Sequence, residues 1–261
     1  MAGAEARNEG LAPDLVIDGA VATITLRRPA VANRLELSDL EVLHGFLADV
    51  NARPEVLLLR LQGEGRHFCS GFNIGQVGTA GADAGRRFEG ITDAVEQARP
   101  ITVAVLQGGA FGGAGDLAVA CDFRIGGPDS ELMVPAARLG LHFYRGGLER
   151  FVAAVGLPAA RRIMLAAERL DATEMRRLGL LDRVADSTAG VPALVDAFCA
   201  EIAGLAPLAI LGMKQHLNRI ARGTLDAAAL ARDIAAADAS ADLKEGAAAW
   251  QQRRPPQFQG R

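Results

Sequence analysis

The chain is poor in lysine: only Lys214 and Lys244 occur, and arginine supplies the rest of its 28 basic residues. The net charge is −3, so no basic surface points to a nucleic-acid partner. Cysteine is scarce as well. Cys69, Cys121 and Cys199 lie in apolar or tight surroundings without metal-binding spacing, which argues against a disulfide framework and for a reduced, cytoplasmic protein. His67 and Cys69 lack the CxxC or HxxxH partner that zinc would need, so no metal site is expected. No stretch reaches membrane length without charges, and the opening MAGAEARNEGLAP has no apolar core, so neither a span nor a signal peptide is expected.

What remains is a chain of 261 residues, 50% hydrophobic, able to bury one large core or two smaller ones. Residues 1–12 are expected to be loose. Leu15–Asp18 and Val21–Arg28 alternate about Gly19 as a hairpin. Ser38 with Glu41 forms a capping box opening a helix that carries Leu40, Leu43, Phe46, Leu47 and Val50 on one face. A strand follows over Val56–Leu61, and a helix is expected before Pro100. Beyond Gly146-Gly147 the chain turns helical, with a break at Gly156 and Pro158. Asp171 and Glu174 cap a short helix ending at Gly179, and a short strand can return over Leu181–Val184. From about Val191 to Arg253 the pattern is alanine-rich helix, broken at Pro207 and Gly223.

The chain is organised around residues 101–123, ITVAVLQGGAFGGAGDLAVACDF. A buried strand, a glycine-rich turn and a helix N-terminus together present backbone N–H groups that have no partner inside the helix. A dinucleotide fold would need G-x-G-x-x-G, a longer helix and a later acidic residue, and the pattern here is a poor match. A second strand-to-loop junction carries His67-Phe68-Cys69-Ser70-Gly71-Phe72-Asn73-Ile74.

The two segments FCSGFNI and QGGAFGGAGDLAVACDFRI resemble those of the crotonase superfamily, the enoyl-CoA hydratase/isomerase family, over about Leu15 to Phe258. The resemblance implies an α/β fold, a spiral of ββα units over residues 13–190, with a C-terminal helical oligomerisation region over 191–261. It implies an enzyme that holds an acyl-CoA thioester carbonyl between the amides of Phe72 and Gly113 and stabilises an enolate. Coenzyme A would be substrate, and no separate cofactor is expected. The same resemblance assigns the CoA and acyl contacts to Arg28, Asn33, Arg34 and Leu35 on the first loop. Ser70, Gly71, Asn73 and Ile74 would line the second loop, and Gly109, Phe111 and Gly112 the central turn. Pro135, Ala136, Leu139 and Gly140 would lie along the acyl pocket. Arg253, with Ile234, would approach a neighbour's CoA in a homotrimer or a hexamer made of two trimers.

In its acid–base residues the chain departs from the family. The first glutamate of the hydratase pattern is Asp116 here, one methylene shorter, and the second is Ala136, which cannot move a proton. Asp116 is read as the proton-transfer group, the competing reading being a first-turn aspartate that satisfies free helix amides. His142, Phe143, Tyr144 and Arg145 replace an I-P-G-x run. Tyr144 or His142 could supply the missing acid and Arg145 could clamp a substrate carboxylate; a surface or subunit-contact loop is the alternative for each. Cys69 and Ser70 lack the G-x-S-x-G context of a nucleophile, while His67 borders the loop as a minor candidate. Hydration, double-bond isomerisation, decarboxylation, thioester hydrolysis and acyl-CoA binding without turnover all remain open.

Overall fold

A computed structural model describes residues 10–73, 75 and 82–261. In chain order the first elements are β1 (Leu11–Asp18), β2 (Val21–Arg27), α1 (Leu37–Asn51), β3 (Leu58–Gly63) and α2 (Ala82–Glu96). The central stretch folds as β4 (Ile101–Leu106), β5 (Gly109–Phe111) and α3 (Gly113–Val119), followed by β6 (Phe123–Gly126) and β7 (Glu131–Met133). Then come α4 (Arg145–Leu165), β8 (Leu170–Asp171), α5 (Ala172–Arg177) and β9 (Arg183–Val184). Four helices close the chain: α6 (Val191–Ala203), α7 (Pro207–Ala221), α8 (Ala227–Ala239) and α9 (Ala241–Gln252).

The hairpin forms as the alternation predicts. Ala22, Ile24 and Leu26 of β2 turn inward, and β1 pairs with it antiparallel. Strand structure reaches back to Leu11, two residues before the boundary expected at 13, and residues 1–9 lie outside the described residues. The main sheet runs β1-β2-β3-β4-β6-β9, parallel from β2 onward. A parallel sheet must be covered on both faces. One face carries the main core, with Leu59, Leu61, Ala104 and Leu106 packed against α1 and α2. On the other, Leu58, Val103, Val105 and Ile125 meet Val195, Phe198 and Cys199 of α6. All six residues of β4 are buried, which makes it the anchor from which the glycine turn springs. A small second sheet, β5-β7-β8, lies beyond that turn.

Helix α1 keeps its predicted apolar face but not its predicted start. Glu36 is the N-cap, two residues before Ser38, and its amide donates to Asp39 Oδ2 at 2.9 Å. The cause is tertiary: Asp39 is buried and Arg28 donates to both its oxygens, at 3.1 and 3.0 Å. Helix α4 breaks at Gly156 (φ 73, ψ 162), as the Gly–Pro pair suggests. The C-terminal helices break at Pro207 and Gly223, and once more at Ser240, whose hydroxyl caps α9 by accepting from the Leu243 amide. No single helix among the described residues is long and apolar enough to cross a membrane.

Candidate active site

The loop after β3 is stitched on two sides. Leu35 N donates to Gly71 O (2.9 Å) and Asn73 N to Leu35 O (3.0 Å), while Cys69 N donates to Gly109 O and Phe111 N to Cys69 O. This pairing uses the backbone groups flanking Phe72 and turns its own N–H away from Leu35. On the neighbouring strand Gly112, at φ +58, bends the chain into α3 so that Gly113 is the first helical residue, where N–H groups have no intrahelical acceptor. Gly71 lies between the two. At φ +89, a Cβ there would fall 2.7 Å from Phe111 O and 3.1 Å from Gly113 N, so only glycine lets the segments close up. Among the described residues, neither the Phe72 nor the Gly113 amide donates to a backbone acceptor.

A file of rings leads from Phe72 to Phe88 (6.0 Å), then to Tyr144 (6.3 Å), which stacks on Phe143 (4.6 Å). Phe88 sits directly over Gly113, where a Cβ would come within 2.6 Å of its ring. Of the four residues in the unusual loop, Tyr144 alone turns its polar group inward. The ring is half-buried and the hydroxyl donates to Asp116 Oδ2 at 2.7 Å. His142 is exposed, with Nδ1 2.7 Å from the Phe143 carbonyl; Arg145 is exposed and pairs with Glu149 one turn on.

Asp116 is fully buried, and its partner was not found from the sequence. Arg150 of α4 donates from Nε to Oδ1 (2.7 Å) and from Nη2 to Oδ2 (2.6 Å), a bidentate pair between two side chains removed from water. Arg150 also donates to Thr92 Oγ1 (2.6 Å), Asp93 Oδ1 (2.6 Å) and Glu96 Oε2 (3.3 Å). Burial opposes its charge, but Asp116, Asp93 and Glu96 outweigh that and hold the guanidinium above the ordinary arginine range. Burial, with the Asp116 charge added to it, pushes the Tyr144 phenol well above its usual value. The carboxylate therefore accepts three donors, and the hydroxyl proton lies between two anchored oxygens.

The other sequence candidates divide. Asn33 is buried, with Nδ2 donating to Glu64 O and His67 O, and so it fixes the loop. Arg28 is engaged with Asp39 and Arg34 with Glu36. Asn73 donates to Glu36, and the Ser70 hydroxyl donates to Val31 O. Cys69 is buried and its thiol is pushed up to about 12 by desolvation, which removes it as a nucleophile. His67 Nδ1 accepts from the Gly109 amide, a bond that ties the loop to the start of β5. Pro135 and Ala136 open a short turn over 136–139 that leaves Leu139 exposed and ends at Gly140, φ +70. Ile234 is exposed on α8, and Arg253 ends α9 in a left-handed conformation. Ile74 lies outside the described residues.

A cleft of about 840 Å³ lies elsewhere, beyond Arg150, lined in part by Asp93, Glu96, Gly146, Lys214 and Arg222. The cleft and the two glycine turns are different places in the fold. Among the described residues no group of His, Cys, Asp or Glu side chains is set to bind a metal.

The sequence matches the family model described as enoyl-CoA hydratase/isomerase over residues 16–261. It is 33% identical over 246 residues to a probable enoyl-CoA hydratase of Mycobacterium bovis, covering 92% of this chain and 96% of that protein. It is 29% identical over 259 residues to a peroxisomal Δ(3,5)-Δ(2,4)-dienoyl-CoA isomerase of Arabidopsis thaliana, covering 92% and 93%. Among solved structures, an enoyl-CoA hydratase/isomerase family protein from Hyphomonas neptunium superposes with a TM-score of 0.88 at 28% identity, covering 96% of this chain and 98% of that one. An enoyl-CoA hydratase/carnithine racemase from Magnetospirillum magneticum gives 0.88 at 27% identity, with 96% of each chain covered.

Proposed function

Since the chain belongs to the enoyl-CoA hydratase/isomerase family and is an enzyme of that family with the crotonase fold, we propose that it binds an acyl-CoA thioester with the carbonyl oxygen against the Phe72 and Gly113 amides. The observation that carries this reading is the closure of the two turns, which the Cβ-less Gly71 permits, with both amides left without a backbone acceptor among the described residues. Each such donor is worth roughly 3–4 kcal/mol once negative charge develops on the oxygen, enough to make the α-carbon acidic.

Proton handling is then assigned to Asp116 acting through Tyr144. As the substrate C–H bond breaks, its electron pair enters the enolate and the proton passes to the Tyr144 oxygen. The phenolic proton moves to Asp116 Oδ2, 2.7 Å away. An acid paired with Arg150 gives its proton back readily, which suits return to another carbon of the same substrate. Adding water needs a second group, and Ala136 stands where the family pattern has it. Double-bond migration is therefore favoured over hydration. A second reading has its own observation: three donors on Asp116 weaken it as a base, which suits decarboxylation of a malonyl-type thioester, where enolate stabilisation suffices.

Turnover of enoyl-, malonyl- and β-hydroxyacyl-CoA substrates, with products identified by mass, tests these readings. Asp116→Asn is expected to lose about 10²–10⁴-fold in isomerase turnover with CoA affinity nearly intact. Unchanged turnover would move the proton transfer elsewhere. The C-terminal helices expose Met213, Leu217, Ile220, Ile234 and Leu243, and leave Trp250 87% exposed. That apolar face supports a homo-oligomer built on trimers, and a stable monomer in light scattering at micromolar concentration would remove it.

A further inference from the structure

Lys214, Asn218 and Arg222 recur every fourth residue and so share one face of α7 and its C-cap. All three dock on the core. Lys214 Nζ donates to Pro100 O (2.6 Å) and pairs with Asp122 (2.7 Å), and Asn218 Nδ2 donates to Glu96 O (2.8 Å). Arg222 Nη2 reaches Glu96 Oε2 at 2.6 Å and Asp93 at 3.8 Å, while its Nη1 meets Glu149, which Arg145 also holds. Asp93 and Glu96, one turn apart on α2, thus stand between two guanidiniums: Arg222 outside and Arg150 inside. The inner guanidinium is the one that grips Asp116.

We propose that Arg222 is a positioning residue for the Asp116–Tyr144 pair, setting through Asp93 and Glu96 how fully Arg150 is committed to Asp116. This rests on the reading of Asp116 as part of the acyl-CoA site. Asp116, Asp93 and Glu96, with Glu149 on the outer side, share the two guanidiniums; the inner Arg150–Asp116 end is buried, with Arg150 2% exposed, while Arg222, at 17%, and Asp93, at 39%, face the cleft. With the outer charge removed, Asp93 and Glu96 have Arg150 alone and draw its Nη1 outward. Asp116 then carries more uncompensated charge and pulls harder on the Tyr144 proton. Neutralising Glu96 does the opposite and frees Arg150 for Asp116. Thr92, which accepts from Arg150 and donates to Glu89 O, is uncharged and leaves both signs unchanged. Glu89 itself accepts from the Gly146 amide and keeps its partner in every variant.

Tyr144 is the only tyrosine, so protein isotope-labelled at tyrosine Cζ gives a single ring-carbon resonance that reports its hydrogen bond to Asp116. Arg222→Met, which keeps the aliphatic stem and removes the charge, is expected to move that resonance toward the phenolate position. Arg222→Lys is expected to restore it, and Glu96→Gln to move it the other way. A resonance unmoved by Arg222→Met, or moved equally by Arg222→Lys, would overturn the proposal, because packing rather than charge would then be at work. If Arg222→Met does not fold, the sign of the Glu96→Gln shift decides alone. Crotonyl-CoA binding by calorimetry is measured on the same proteins. The expected resonance pattern without binding supports the relay and removes the acyl-CoA reading; binding without the pattern does the reverse.

Discussion

At the scale of single residues the closure of the two turns depends on Gly71. Its positive φ and the 2.7 Å approach of a Cβ to Phe111 O mean that any side chain must open the junction between the two turns. Gly71→Ala is therefore expected to cost about 1–3 kcal/mol of backbone strain and to abolish crotonyl-CoA binding, read by thermal melting and calorimetry. Retained binding with an unchanged melting temperature would mean that the turns need not close. The two glycine turns, each after a strand, were legible in the sequence as a local pattern, whereas the choice of Phe72 and Gly113 within them came from the family resemblance. Arg150 was not legible. It stands in LERFVAAVG as an ordinary helical charge, and its partner Asp116 is 34 positions away, beyond any i,i+4 rule. Phe88 was missed for the same reason, since nothing local places its ring over Gly113.

At the scale of elements, that ion pair links α3 to α4 across the core. Breaking a buried pair leaves a charge without compensation, which costs more than the pair contributes when intact. Arg150→Met is expected to lower unfolding stability by about 3–5 kcal/mol, measured as an earlier midpoint in urea. A midpoint within error of wild type would mean that water or another cation reaches Asp116. Helix positions were read well where burial follows the apolar stripe, as with Leu40, Leu43, Leu47 and Val50 of α1. The start of α1 was misread, since Ser38 and Glu41 satisfy the local box but the buried Arg28–Asp39 pair sets the cap at Glu36. The C-terminal breaks at Pro207 and Gly223 announce themselves chemically; the one at Ser240, inside an alanine-rich run, does not.

At the scale of the whole molecule, the raised Tyr144 value ties the site to alkaline stability. The folded state holds the phenolic proton more tightly than the unfolded state, whose value is about 10. Its stabilising contribution is therefore complete below that pH and is lost as pH rises toward the folded value. Phenolate absorbance is expected to appear together with loss of the helical circular dichroism signal, and phenolate in a still-folded protein would show that Asp116 does not hold the hydroxyl. The spiral core and helical arm were legible as a resemblance, whereas the charge chain joining arm to site lies in tertiary contacts alone. The central claim, a thioester carbonyl held by the Phe72 and Gly113 amides, is tested most directly by the infrared band of crotonyl-CoA labelled at its thioester carbonyl carbon. Bound to the protein, the band is expected at lower frequency than in solution, because two aimed N–H groups polarise the carbonyl. Bound crotonyl-CoA with its carbonyl band at the solution frequency would contradict the account.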